Sequence, residues 1–256
     1  MIAFDPFPIV INGNRRDDLL YELWQLGGSK PEEKPANLDE IELRESVGEE
    51  AKHYERTVFA CLSRIGKLKS GRCVLAASLG LEEFQILPLG ERDKAIRFDH
   101  FWLASCPGAN AYTRQAGPGQ KTTRVLFTPY PAGSCNEALN VGAPDVTLLH
   151  ELVHAVRPAV GRKLMGQATQ DGWTNLEEFF AVVVENVYRS ERGDKGLRGG
   201  WDHSRLGGDA ATSAGFLKDK TLRARIEEAL KREELARRLA RLSDIPFNPF
   251  AAAARA

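Results

Sequence analysis

The sequence has little of several features that define common protein classes. Its four cysteines form no Cys-x-x-Cys pair, so neither a zinc ribbon nor a small disulfide-stapled domain is predicted. Charge of one sign is not in excess, because 35 Lys and Arg residues balance 35 Asp and Glu residues. Nucleic acid and anionic membrane surfaces are therefore not expected partners.

Long apolar runs are also missing, since none reaches the ~20 residues of a membrane helix. The N-terminus lacks the basic and apolar segments of a secretory signal peptide. We therefore expect a protein that is made in the cytoplasm and has no membrane span. The hydrophobic content, 43% of 256 residues, is sufficient for a folded core.

Apolar periodicity separates helical regions from sheet regions. Helical spacing of apolar residues predicts five helices, at residues 15–26, 43–68, 145–157, 174–192 and 218–242. Short apolar runs bounded by turn residues predict four strands, at residues 73–79, 84–89, 98–104 and 122–128. The order of helices, then a small mixed sheet, then helices predicts an α+β fold.

We expect the whole chain, residues 1–256, to form one domain. Its predicted parts are a helical N-terminal region, a small sheet, two helices with a glycine-rich loop, and a highly charged C-terminal helix, at about 1–70, 71–130, 144–210 and 216–243. Glu and Lys or Arg residues four apart in the last helix are typical of a solvated helix that its own charges support.

One predicted helix has the features of a metal site. It contains His150-Glu151-x-x-His154, flanked by apolar residues. Because residues four apart lie on one face of a helix, His150 and His154 can bind one ion. Glu151 lies about 100° further round the helix, where it can hold a water molecule without binding the ion.

A catalytic zinc site needs a third protein ligand, and the next predicted helix begins with two glutamates, Glu177 and Glu178. Each follows a capping residue, Thr174 or Asn175, by three positions, so helix capping is a competing interpretation. A carboxylate buried against the packed, otherwise apolar surface of this helix would cost free energy unless a cation lay beside it. We favour Glu178 because the small Ala181 on the same face lets the two helices approach, and Glu177 is the alternative.

The combined pattern resembles the gluzincins, zinc metallopeptidases in which His-Glu-x-x-His is followed by Asn-Glu-x-x-Ala. Here Glu178-Phe179-Phe180-Ala181 corresponds to the second part, and Glu177 stands in place of the Asn. Residues 149–155, 177–180 and 186–191 more narrowly resemble bacterial effector-toxin metallopeptidases, including NleD-like type III effectors and domains delivered by type VI secretion. The resemblance covers residues 122–210, under half of the chain.

The resemblance implies a zincin-like domain in which His150, His154 and Glu178 bind Zn²⁺. Glu151 would take the proton of the attacking water and deliver it to the leaving amine. In zincins a strand lies beside the metal helix and the substrate adds to its edge.

Further roles follow from the same resemblance. The candidate for the substrate-binding strand is the one that contains Val125 and Phe127. An oxyanion stabiliser is also needed. His203, in the glycine-rich loop after the second site helix, is the first candidate, and Tyr188 is the second, with a core tyrosine as the competing interpretation. Asp202 is a candidate to orient an imidazole.

For function, we expect hydrolysis of peptide bonds in a protein or peptide substrate by a secreted bacterial effector or toxin. A secretion-system component or an immunity protein is an expected partner, and delivery into a target cell would proceed without a signal peptide. Two alternatives remain. One is a zinc amidase that acts on cell-wall peptides, and the other is a non-catalytic immunity or adaptor protein.

Overall fold

A mixed sheet lies at the centre of the described part of the chain. The computed structural model describes residues 1–13, 38–79, 81, 84–88, 111–114, 123–129, 143–157, 163–164, 166, 173, 175–200 and 204–256. Within these residues five strands form the sheet: β1 (Ile2–Ala3), β2 (Ile9–Ile11), β3 (Phe84–Pro88), β4 (Ala111–Arg114) and β5 (Thr123–Phe127). Their order is β1-β2-β3-β5-β4. β3 pairs in parallel with β2 and β5, whereas the β1–β2 and β4–β5 pairs are antiparallel.

The register aligns apolar side chains on one face of the sheet. Ile11 is opposite Ile86, and Ile86 is opposite Val125; all three are fully buried. The row ends on β4 with Thr113, which is opposite Val125. Because cross-strand neighbours share a face, Thr113 lies on the same side of the sheet as this core.

Eight α-helices and one short 3₁₀ helix are described. They are α1 (Leu38–Lys67), α2 (Lys69–Ala77), α3 (Pro144–Ala155), α4 (Leu176–Arg192), the 3₁₀ helix Gly208–Ala211, α5 (Ser213–Phe216), α6 (Lys220–Arg232), α7 (Glu234–Ala240) and α8 (Pro249–Ala253). α3 packs against strands β4 and β5 and against α1, α2 and α4. Its position between the sheet and the other helices explains why nearly all of its side chains are buried.

One hydrophobic cluster connects the parts of the described chain. It includes Phe4 near the N-terminus, side chains of α3 and α4, and Phe250 in α8. The hydroxyl of Tyr54 in α1 donates to the carbonyl oxygen of Phe127 in β5 at 3.1 Å, which ties the long helix to the sheet. No helix among the described residues has the length and apolarity needed to cross a membrane.

The structure confirms the α+β class and much of the predicted element order. The helices predicted at 43–68, 145–157 and 174–192 correspond to α1, α3 and α4, and the strands predicted at 84–89 and 122–128 correspond to β3 and β5. The helix predicted at 15–26 and the strand predicted at 98–104 lie outside the described residues.

Three predictions are wrong. Residues 73–79 were expected to form a strand, but most of them belong to α2, because a short apolar run fits a buried helix equally well. The N-terminal region is not only helical, since it contributes β1 and β2 to the sheet. The single C-terminal helix is broken at Glu233 into α6 and α7. Two pairs with the expected spacing of four residues are present, Glu228–Arg232 and Glu234–Arg238, whereas Glu233 binds Arg157.

Candidate metal centre

Helix α3 carries both histidines in a buried position. It begins with Pro144, which suits the first turn of a helix because its missing N–H would have no helical partner there. His150 and His154 are each 7% exposed, and Glu151 is 5% exposed. Burial of three ionisable side chains on one helix is costly unless each has a partner of suitable charge.

Three side chains from α3 and α4 bring their donor atoms close together. His150 Nε2 lies 3.2 Å from His154 Nε2. The carboxylate of Glu178 places one oxygen near each nitrogen, with Oε2 at 3.4 Å from His150 Nε2 and Oε1 at 3.3 Å from His154 Nε2. Ligands on a tetrahedral ion with bonds of about 2.0–2.1 Å lie about 3.3–3.4 Å apart. Each of these three distances is therefore close to the spacing between ligands in such a site.

The other nitrogen of each imidazole contacts a carboxylate. His150 Nδ1 lies 3.0 Å from Glu185 Oε2, and His154 Nδ1 lies 2.9 Å from Glu177 Oε1. Because an ionised carboxylate only accepts hydrogen bonds, each Nδ1 carries a proton and donates it. Two neutral rings would then direct both Nε2 lone pairs at the same point, so a proton or a metal ion is needed between them. This arrangement is typical of metal-binding histidines.

The start of α4 explains how adjacent glutamates perform different tasks. The side chain of Asn175 caps the helix by accepting from the backbone N–H of Glu178 at 2.8 Å. Neither carboxylate is therefore needed for this cap. Since successive helical residues are about 100° apart, Glu178 contacts the two Nε2 atoms while Glu177, fully buried, contacts His154 Nδ1.

Arginine side chains compensate the buried carboxylates that orient the histidines. Glu185 accepts from Arg189 Nε at 2.7 Å and from Arg198 Nη1 at 3.2 Å. Glu177 accepts from Arg157 Nη1 at 2.5 Å. Burial alone would raise the pKa of Glu185, but Arg198, His150 and Arg189 hold it well below its usual range. Glu185 is therefore ionised and suited to accept the proton of His150 Nδ1.

The electrostatics of the cluster favour positive charge at its centre. Burial alone would lower the pKa of both imidazoles, yet Glu178 and Glu185 raise the pKa of His150 above its usual range. Glu178 and Glu177 likewise raise the pKa of His154 to about 10. Burial alone would raise the pKa of Glu178, but the two imidazoles lower it well below its usual range. The charges of the cluster therefore favour a proton or a metal ion between the two Nε2 atoms.

The side chain of Glu151, in α3, contacts strand β4. Thr113 Oγ1 lies 2.8 Å from Glu151 Oε2 and 2.9 Å from the Glu151 carbonyl oxygen, and it donates to them. The charge of Glu151 also contributes to raising the pKa of His154, so this carboxylate lies close to the cluster. Glu151 is not one of the three converging groups, as the sequence predicts for a residue that acts on water.

The structure brings together part of the predicted site. His150, His154 and Glu178 form the only group of at least three His, Cys, Asp or Glu side chains within the described residues whose geometry could hold a metal ion. Glu177, the alternative ligand, orients His154 instead. His203, the first candidate for oxyanion stabiliser, and its neighbour Asp202 lie outside the described residues.

Two expectations about the site are wrong. Tyr188 is 1% exposed, and its hydroxyl donates to Asp145 Oδ2 at 2.7 Å. It is thus a core tyrosine whose proton is already committed, not an oxyanion donor. The strand of Val125 and Phe127 was expected to offer an edge to substrate, but β5 pairs with β3 on one side and β4 on the other, and both side chains are fully buried.

Sequence reasoning missed the residues that support the ligands. Arg189 and Arg198 both contact Glu185, which contacts His150, and Arg157 contacts Glu177, which contacts His154. A signal for Glu185 was present, because it is an acidic residue in an otherwise apolar stretch of α4. Strand β4, which holds Thr113, lies in a segment whose turn residues favour a loop.

Comparison with protein-family models, curated proteins and solved structures gives no match for this chain.

Proposed function

We propose that the chain is a zinc-dependent peptidase of the zincin class. The observation that carries the proposal is the cluster of His150 Nε2, His154 Nε2 and the Glu178 carboxylate, in which the two nitrogens lie 3.2 Å apart and each lies 3.3–3.4 Å from one carboxylate oxygen. Two imidazoles and one carboxylate are a ligand set found in catalytic zinc sites, where the fourth position is left for water or substrate.

The donor set fits zinc in three respects. The spacing of the donor atoms suits a tetrahedral ion, both imidazoles have a carboxylate on the second nitrogen, and Glu178 is ionised. When bound, zinc would supply a Lewis acid that polarises a carbonyl group and lowers the pKa of water.

The chain's own residues would handle the proton. Glu151 would accept a proton from the attacking water and then deliver it to the leaving amine. Thr113 holds this carboxylate through a hydrogen bond to Oε2, so one oxygen is fixed against β4 and the other is left for the proton. Hydrolysis of an amide bond is the reaction that this arrangement suits best.

Replacing Glu151 by Gln tests the mechanism. The variant keeps the hydrogen-bonding shape of the side chain but cannot accept the proton, so we expect cleavage of a casein or peptide-library substrate to fall by about 10²- to 10⁴-fold. Zinc content, measured by elemental analysis, should stay at that of the unmodified protein. A Glu151→Gln protein that cleaves at the original rate contradicts the mechanism.

The role as a secreted bacterial effector stays a prediction that rests on the sequence resemblance. So do its expected partners, a secretion-system component or an immunity protein.

A further inference from the structure

A chain of buried charged groups leads from the metal centre to the C-terminal helices. Glu177 accepts from His154 Nδ1 through Oε1 and from Arg157 Nη1 through Oε2. Arg157 donates onward to both oxygens of Glu233, from Nε to Oε2 and from Nη2 to Oε1, each at 2.6 Å. The guanidinium group also stacks 3.7 Å from the ring centre of Phe180. We call these four linked residues, His154, Glu177, Arg157 and Glu233, the His154–Glu233 chain.

Glu233 occupies the residue at which α6 ends and α7 begins. Its backbone is extended, with φ −119° and ψ 125°, and its side chain makes no helix-capping hydrogen bond. Helix N-caps favour Ser, Thr, Asp or Asn, so capping does not account for a glutamate here. Its side chain is 10% exposed and is directed to Arg157.

The adjacent acidic residue behaves differently. Glu234 is 56% exposed and pairs with Arg237 and Arg238 on its own helix. Pairs of this kind contribute little to stability. Of two consecutive glutamates, only Glu233 contacts the residues that lead to the metal centre.

We propose that Arg157 and Glu233 are positioning residues for His154, so that the residue at the junction of α6 and α7 helps to orient a metal ligand. This inference rests on the proposed zinc function. A carboxylate can hold an imidazole at one angle only if it is itself held. Arg157 holds Glu177 through one nitrogen, and the two-bond contact with Glu233 fixes the direction of that nitrogen, because the guanidinium group is planar and rigid.

Stability alone does not account for the His154–Glu233 chain. Buried ion pairs are often no more stabilising than apolar side chains of similar volume, because their desolvation offsets their attraction. Orientation of metal ligands, in contrast, depends on groups beyond the ligands, and loss of such a partner weakens metal binding by about 10–100-fold.

Glu233→Ala is the informative variant, and Glu234→Ala is the matched control. Removing Glu233 leaves Arg157 and Glu177 as a neutral pair, so no uncompensated charge is buried. A pocket of about 250 Å³ is lined by both Arg157 and Glu233. Removal of the Glu233 carboxylate therefore leaves a space that adjoins this pocket, and formate can reach the Arg157 guanidinium group through it.

Zinc affinity of the full chain is measured by competition with a chromophoric chelator, with and without sodium formate. We expect Glu233→Ala to weaken zinc binding by about tenfold, formate to restore the affinity, and formamide, which is uncharged, to have no effect. The absorption spectrum of the cobalt(II) form of Glu233→Ala should differ in shape from that of the unmodified protein, and formate should restore the original shape. Glu234→Ala should match the unmodified protein in both measurements.

Two results would overturn the inference. One is a zinc affinity of Glu233→Ala within about twofold of the unmodified protein. The other is a loss of affinity that formate does not relieve, which would indicate a general structural change. Failure of the proposed function has a different signature, since the unmodified protein would then bind no zinc at the His150, His154 and Glu178 site.

Discussion

Exchanging Glu178 for Gln separates the two adjacent glutamates of α4 by their tasks. The carboxylate of Glu178 lies 3.3–3.4 Å from the two Nε2 atoms, whereas that of Glu177 lies 2.9 Å from His154 Nδ1. Glu177→Gln is therefore a matched control, since it makes the same chemical change one residue away. The amide oxygen of the introduced glutamine can still accept the hydrogen bond from Nδ1.

The size of the two effects follows from their contacts. Binding of structural zinc by four protein ligands is worth about 10–16 kcal/mol at pH 7, so one ligand contributes about 2.5–4 kcal/mol. At about 1.4 kcal/mol per factor of ten, Glu178→Gln is expected to weaken zinc binding by at least about 10²-fold. Glu177→Gln removes the charge of an orienting partner and should cost about tenfold.

Competition with a chromophoric chelator measures both affinities, and thermal unfolding without metal checks that each variant is folded. The reasoning is refuted if Glu177→Gln binds zinc more weakly than Glu178→Gln, because Glu177 would then be the ligand. It is equally refuted if both variants bind as tightly as the unmodified protein, because the ion would then lie elsewhere.

Two further predictions concern protons and helix packing. Zinc binding at pH 8 should release about one proton. The pKa of His154 is raised to about 10, so the metal-free ring is charged at pH 8, whereas an ordinary imidazole of pKa about 6.5 would be neutral. Calorimetry in buffers of different ionisation enthalpy measures the number of protons released. Glu191→Ala should reduce the free energy of unfolding in urea by about 1–3 kcal/mol and leave zinc affinity unchanged. Glu191 accepts hydrogen bonds from the backbone N–H groups of Lys69 and Ser70 at 2.7 and 2.8 Å. It therefore caps the start of α2, where the helix has no side-chain cap of its own.

Each of these has an outcome that contradicts it. Release of no proton at pH 8 would mean that His154 is neutral without metal. A Glu191→Ala protein of unchanged stability would mean that water replaces the cap at no cost. Glu191 lies 13 residues after Glu178, or about 20 Å along α4, so altered zinc affinity in this variant would also contradict the interpretation.

The part of the site that was predictable from sequence is the part that depends on spacing alone. His150, Glu151 and His154 lie on one short helix, and the position of each side chain follows from 3.6 residues per turn. The choice between Glu177 and Glu178 depends on how α4 is rotated about its axis. That rotation is set by the Asn175 cap and by packing on α3, which no local pattern reports.

Other features could not be predicted because their partners are distant in the sequence. Glu233 breaks the C-terminal helix and binds Arg157, 76 residues earlier. The hydrogen bonds from the N–H groups at the start of α2 are accepted by Glu191, 122 residues after Lys69. A pattern confined to residues 73–79 therefore contained no information about the cap that makes a helix possible there.

The Arg157–Glu177 ion pair has a consequence for how the chain can vary. Arg157 lies two residues after the end of α3, and Glu177 lies in the first turn of α4, so their contact joins the two ends of the intervening segment. The entropic cost of a longer closed segment grows slowly, by about 0.6 kcal/mol for each doubling of length. Insertions between residues 158 and 174 should thus leave the spacing of His154 and Glu178 unchanged. Added residues at this point would then change the surface of the protein without moving His150, His154 or Glu178.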